Sequence, residues 1–322
     1  MPNAKITVKD VGKKIISEYS FVLSFILLVI IAASVNKNFF TWTNISNIFV
    51  QSSMIGLIAM GMSMVISAGQ IDISVGSQVA FIGGFGILVL NYTRSVWVML
   101  AFCCAVGIAL GAINGLLVTK GGMPSMIATM AMQSACRSVI NHFGSGGPFT
   151  VDSELYESFR MLAVGGIEIG PSFKIPYLMI IFIVFVIIFD NIMRNTKLGK
   201  HVYAVGSNEV SARLSGINVD LVKTLTFVIT GLMCGVAALI YASRMTAVAA
   251  ASAGSAYEMD AIAAVAIGGR GKIVGTFAGV LMFKIISNIL TAADVSTFLN
   301  GAISGAIIVI AVLLQNFQNR KR

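Results

Sequence analysis

The chain has 322 residues, of which 57% are hydrophobic and 11% charged, with a mean hydropathy of +0.90. A soluble globular chain carries about 25% charged residues, so a soluble single-core domain is excluded and an all-α polytopic membrane bundle is expected. The formal net charge of +9 is not a nucleic-acid footprint: Lys5, Lys9, Lys13 and Lys14 precede the first apolar run, Arg194, Lys197 and Lys200 form a central loop, and Arg320, Lys321 and Arg322 close the chain. Basic residues at span ends set topology and attract anionic lipid.

In chain order, residues 1–20 read as a basic cytoplasmic N-terminus. The apolar run at 21–35 is followed by many others and lacks a small-x-small cleavage site, so it reads as a retained first span rather than a signal peptide. Further spans are expected at 44–68, 79–90, 96–118, 123–140, 177–193, 221–243, 259–269, 273–290 and 298–315. A crossing helix needs about 20 apolar residues, so the shorter, glycine-interrupted runs read as broken or partial spans. Ten crossings place both termini and the basic loops at Lys120, 194–200 and 270–272 on the cytoplasmic side. Residues 141–176 carry Asp152, Glu154, Glu157 and Glu168 and read as an external loop with a surface helix around 153–162; residues 244–257 read as small-residue-rich and weakly structured. The whole chain is expected to be a single transmembrane domain. Glycines four residues apart (Gly107, Gly111, Gly115; Gly231, Gly235; Gly271, Gly275, Gly279; Gly301, Gly305) predict closely packed helices.

Residues 194–220 form the longest basic polar stretch between apolar runs, a cytoplasmic loop. Its second half has the ends of a short helix written in. Ser207 or Asn208 can cap it, Glu209 lies in the first turn, Arg213 follows four residues on, and Gly216 suits a left-handed C-terminal residue. Two turns are too few to stand alone in water, so the helix is either a solvated connector or a docking element for a cytosolic partner.

No catalytic constellation stands out. Residues 266–273 fail as a phosphate loop, because Ala266 replaces a glycine and Ile273 the Mg²⁺-binding Ser or Thr. Residues 61–65 lack the closing glycine of a nucleophile elbow, and 144–149 lack the last glycine of a dinucleotide fingerprint. Cys103, Cys104, Cys136 and Cys234 lie in apolar runs without ligand spacing, and His142 and His201 are far apart, so no metal site is expected. The chain reads as a transporter rather than an enzyme, with any driving energy supplied elsewhere. Ionisable residues beside apolar spans are functional candidates. Gln70, Asp72, Ser74 and Ser77 lie in one polar break, and Glu258 and Asp260 open the short eighth span; each either shapes a polar pathway or caps a helix. Residues 69–77 also echo 268–276, each joining an inward-running span to an outward-running one, as in transporters with duplicated broken segments.

The segments GQIDISVGS (69–77), GSNEVSARLSGINV (206–219), YEMDAIAA (257–264), NFFT (38–41) and KIVGT (272–276) resemble the ribose/galactose/xylose-type permeases of bacterial ATP-binding-cassette importers, in order and over nearly the whole chain. The resemblance implies a permease of the bacterial inner membrane that translocates a monosaccharide as a homodimer. It also implies a cytosolic ATPase, often a double-ATPase chain, which binds ATP and Mg²⁺, and an extracytoplasmic sugar-binding protein; this chain binds no cofactor. Ser207, Asn208, Glu209, Ser211, Arg213, Gly216 and Asn218 then belong to the coupling segment seated in the ATPase. The chain departs from the family pattern after Gly269, where Arg270 follows at once and a longer small-residue loop is missing. The alternative is an ion-coupled secondary transporter or channel for a small polar solute, although a carboxylate deep in the bundle is not evident from the sequence.

Overall fold

The computed structural model describes residues 25–170, 173–269 and 271–295, with residues 299, 302, 305 and 306 beyond them. The basic N-terminus, Arg270, the basic C-terminus and all but those four positions of the expected tenth span lie outside the described residues.

The fold is a helical bundle. Six of the described helices are long and apolar enough to cross a membrane: α2 (Trp42–Ser67), α3 (Val75–Thr93), α4 (Val96–Thr119), α7 (Tyr177–Asn195), α10 (Val219–Met245) and α12 (Ile273–Ala292). Between and beside them run α1 (Phe25–Val35), α5 (Ser125–Phe143) and α11 (Tyr257–Gly268). At 12 residues, α11 is about 18 Å long, whereas the hydrocarbon core is about 30 Å thick. The short eighth span is therefore a half-span.

Helix α2 is the centre of the bundle. Thr41 starts it, its hydroxyl accepting from the Asn44 amide, and from Ser52 to Val65 every side chain is buried. Around it pack α7, α10, α11 and α12. The predicted glycine stripe on α4 meets α10 backbone to backbone: a Cβ at Gly107 would strike the Gly231 carbonyl, and one at Gly111 the Phe227 carbonyl. Gly275 and Gly279 do the same for α12 against Gly268 and Ala264 of α11. In a bilayer, where lipid is as apolar as leucine, such close van der Waals contact supplies much of the association. Outward-facing Trp97, Leu116, Ile127 and Ile187 remain exposed, as a lipid-facing surface requires.

The described residues of the expected loop at 141–176 form regular elements. Strand β1 (Pro148–Thr150), helix α6 (Ser153–Val164) and the hairpin β2 (Gly166–Gly170) with β3 (Phe173–Pro176) gather at the end of the bundle where α3 terminates. Arg94 bonds Asp152 at 3.0 Å and Glu154 at 3.4 Å, and Trp42 stacks on Phe173 while its indole N–H donates to the Lys174 carbonyl. Residues 244–257, expected to be weakly structured, contain β4 (Ala247–Ala249), which pairs antiparallel with β1. Two more helices sit at the opposite end. Helix α9 (Glu209–Leu214) matches the expected short helix, and α8 (Lys197–Ser207) occupies what reads in the sequence as loop. Thr196 caps α8 by accepting from the Gly199 amide at 3.3 Å.

Candidate functional site

The polar segment between α7 and α10 is built as two helices, separated at Asn208. Asn208, not Ser207, caps α9: its side-chain oxygen accepts from the Ser211 amide at 2.9 Å, while Ser207 is the last residue of α8. Gly216, with φ +80°, ends α9 in the left-handed region expected of it. Asn218 begins the next helix, its side chain accepting from the Leu221 amide at 3.0 Å. The Ser211 carbonyl accepts from Ser215 Oγ at 2.9 Å.

The expected Glu209–Arg213 pair is present at 3.6 Å, but each partner is closer to a residue of α10. Lys223 Nζ lies 2.7 Å from Glu209, and Arg213 lies 3.3 Å from Asp220. These charges fasten α9 to its own chain. Beside the exposed Glu209, Ser211 and Arg213, α9 presents an apolar pair outward: Val210 is 68% exposed and Leu214 84% exposed, four residues apart on one face, while Ala212 on the opposite face is buried.

Helix α8 touches both chain reversals singled out by their sequence echo. A Cβ at Gly206 would collide with the Ser67 carbonyl at the end of α2, and the Tyr203 hydroxyl donates to the Gly271 carbonyl in the turn between α11 and α12. Burial raises the Tyr203 phenol above its ordinary value, further favouring the protonated form that donates here. Both reversals use left-handed glycines, Gly69 at φ +78° and Gly269 at φ +86°. Gly271, just before α12, thus packs on α8.

The polar break between α2 and α3 is internal. Asp72 is fully buried; its Oδ1 accepts from the Ser74 amide at 2.9 Å and the Ser74 hydroxyl at 2.5 Å. The Ser74 hydroxyl accepts in turn from Gln78 Nε2 at 2.7 Å and Asn114 Nδ2 at 2.9 Å. The amides of Ile71 and Ile73 donate to the hydroxyls of Ser125 and Thr129 on α5, so the extended backbone is satisfied at depth. Ser77 Oγ donates to the Ser74 carbonyl, and Gln70 is half-buried. Asp72 precedes α3 by three residues, where the helix dipole favours an anion. A carboxylate deep in the bundle therefore exists, and its hydrogen bonds identify it as the brace of a helix start.

The second polar group surrounds the start of α11. Glu258 Oε2 lies over Gly76, where a Cβ would come within 2.6 Å of it, and the backbones of Gly76 and Gly254 touch. The two breaks, 69–77 and 254–260, thus meet inside the bundle. Asp260 is half-buried, within Coulombic reach of Lys284 on α12. Sequence reading did not single out Asn114, Gln78, Lys284 or Arg137. Arg137, on α5, donates to the carbonyls of Ala250 and Ala253, both at 2.8 Å. Among these, only the two charged residues carried a sequence signal, as cations inside apolar runs.

Residues 44–312 match the family model described as "Branched-chain amino acid transport system / permease component". The chain is 32% identical to the ribose import permease protein RbsC of Haemophilus influenzae over 97% of each chain. It is 37% identical to that of Bacillus subtilis, over 91% of this chain and 90% of the relative. The L-arabinose transport system permease protein AraH of Escherichia coli is 29% identical, over 96% of this chain and 93% of its own length.

Proposed function

Because the chain belongs to the family of transport-system permease components, a group of multi-pass membrane proteins, we propose that it is the membrane subunit of an ATP-driven importer for a monosaccharide, ribose or a related pentose or hexose. Two copies form the channel in the bacterial inner membrane, with both termini and the 194–220 segment cytoplasmic. A double-ATPase chain sits below, and a sugar-binding protein delivers substrate to the 141–176 side. ATP and Mg²⁺ belong to the ATPase; the permease performs no bond chemistry.

The observation that carries this reading is α9. A six-residue helix cannot hold itself together in water, and this one is charge-fastened to α10 while offering Val210 and Leu214 bare to the outside. Exposed apolar side chains on a polar helix are what a groove in a partner needs. Motion of α9 passes to α8, and α8 grips the α2–α3 and α11–α12 reversals through Gly206 and Tyr203. The polar groups at 69–77 and 254–260 are then the parts moved during alternating access. The names of the relatives favour this over an ion-coupled carrier.

The test is uptake in proteoliposomes holding the permease, its ATPase and the binding protein. Sugar accumulation that requires ATP and persists with a protonophore supports the proposal. Accumulation by the permease alone, abolished by the protonophore, overturns it. A sugar panel on the binding protein fixes the substrate.

A further inference from the structure

Residues 250–256, between β4 and α11, carry irregular backbone within the thickness of the bundle. Their depth follows from geometry. Strand β4 pairs with β1 at one end of the molecule, and the last residues of α11 pack on Gly275 near the α8 end. Helix α11 covers only about 18 Å of that span, so the preceding segment must descend into the membrane interior. Irregular backbone at that depth is tolerated only where protein covers it or water lines it. Here the segment is covered by protein at Ala253 and Gly254, the latter against Gly76, and open at Ala251, Ser252, Ser255 and Ala256.

The covering group is Arg137. It lies on α5, which packs on the spanning helices α3 and α4, where a cation is costly. Its two terminal nitrogens donate to the carbonyls of Ala250 and Ala253 at 2.8 Å each. The rigid guanidinium fork thereby fixes the turn between them, which a single ammonium cannot do. The carboxylate within Coulombic reach is Glu258, on the first turn of α11. Arg137 thus grips the segment from behind, while the Gly76 contact sets its distance from α3.

We propose that Arg137 is a positioning residue that holds 250–256 as a wall of the translocation pathway, with the hydroxyls of Ser252 and Ser255 turned toward a neutral, polyhydroxylated substrate. This rests on the importer reading above. A wall of hydroxyls and backbone offers weak, exchangeable hydrogen bonds, suited to passage rather than retention. The cation behind it stays off the pathway, held to the segment by one donor from each terminal nitrogen.

The experiment uses the full importer in proteoliposomes, with Cys104→Ala to remove the one partly exposed thiol among the described cysteines. Ser252→Cys is labelled with a charged, membrane-impermeant maleimide. Labelling is expected in the assembled complex, and Arg137→Gln is expected to change its rate and lower ATP-driven uptake by about tenfold or more, with Arg137→Lys intermediate. Because a merely structural arginine would leave the local labelling rate of correctly assembled complexes unchanged, that rate is the deciding readout. Failure of Ser252→Cys to label, or Arg137→Gln leaving labelling and uptake unchanged, overturns the proposal. If Arg137→Gln does not assemble, labelling of Ser252→Cys beside Arg137 and beside Arg137→Lys decides. ATP-driven uptake together with an unlabelled Ser252→Cys refutes this inference while sparing the importer reading; loss of ATP dependence refutes the reading itself.

Discussion

The Tyr203 hydroxyl donates to the Gly271 carbonyl, linking the helix beside α9 to the turn from which α12 departs. One turn along α8, Gly206 lies against the Ser67 carbonyl at the end of α2. A single helix next to α9 therefore holds both reversals of the bundle, one through a side chain and the other through the lack of one.

Tyr203→Phe removes the first link and keeps the ring. The lost hydrogen bond costs about 1 kcal/mol, so the thermal midpoint of the purified protein shifts little. Uptake per ATP hydrolysed falls, because α9 still docks but pulls less on the α11–α12 turn. The ratio of uptake to hydrolysis in proteoliposomes checks this; an unchanged ratio contradicts it.

Gly206→Ala acts on the second link. Its Cβ meets backbone rather than a flexible side chain, so α8 must move away from α2 at a cost of about 1–3 kcal/mol. Reduced thermal stability and loss of sugar uptake are expected together, whereas the same substitution at open Gly146, whose φ of +76° adds only local strain, leaves uptake intact.

Asn114→Leu tests the buried brace. It removes donors to Ser74 and Asp72 within a fully buried network and should cost about 1–3 kcal/mol. Asp72→Asn is expected to cost less than Asp72→Leu, because its amide oxygen can still accept from Ser74. Thermal unfolding of detergent-extracted protein ranks the three; equal effects of Asn and Leu at position 72 contradict the assignment.

Glu209→Gln with Arg213→Gln releases α9 from α10. Exposed ion pairs contribute about 0–1 kcal/mol, so global stability is preserved. The expected loss is in affinity for the ATPase, since the helix is no longer held ready. Lys223→Gln alone should reproduce part of it, because Lys223 lies closer to Glu209 than Arg213 does. Unchanged ATPase binding in both variants contradicts this.

Much of this architecture was legible. Apolar runs located the bundle, and Asn208, Glu209 and Gly216 marked α9 because caps and left-handed glycines are local signals. What escaped depends on distance in sequence. Glu209 looked paired with Arg213, four residues away, yet its nearest cation is fourteen residues on, at Lys223. The basic, glycine-containing composition of α8 reads as loop and outweighs the Thr196 cap. Arg137 bonds backbone carbonyls more than a hundred residues away, and carbonyls leave no mark in a sequence. Val210 and Leu214 form the outer face of α9 because Ala212 takes the buried one, a choice six residues of sequence do not encode.

The most direct test is Leu214→Asp, since Leu214 is the most exposed apolar residue of α9 and makes none of its ion pairs. The account predicts that the permease still extracts as folded protein, that its ATPase no longer copurifies, and that ATP-driven sugar uptake is lost. A Leu214→Asp complex that retains its ATPase and transports sugar at the unmodified rate would contradict it.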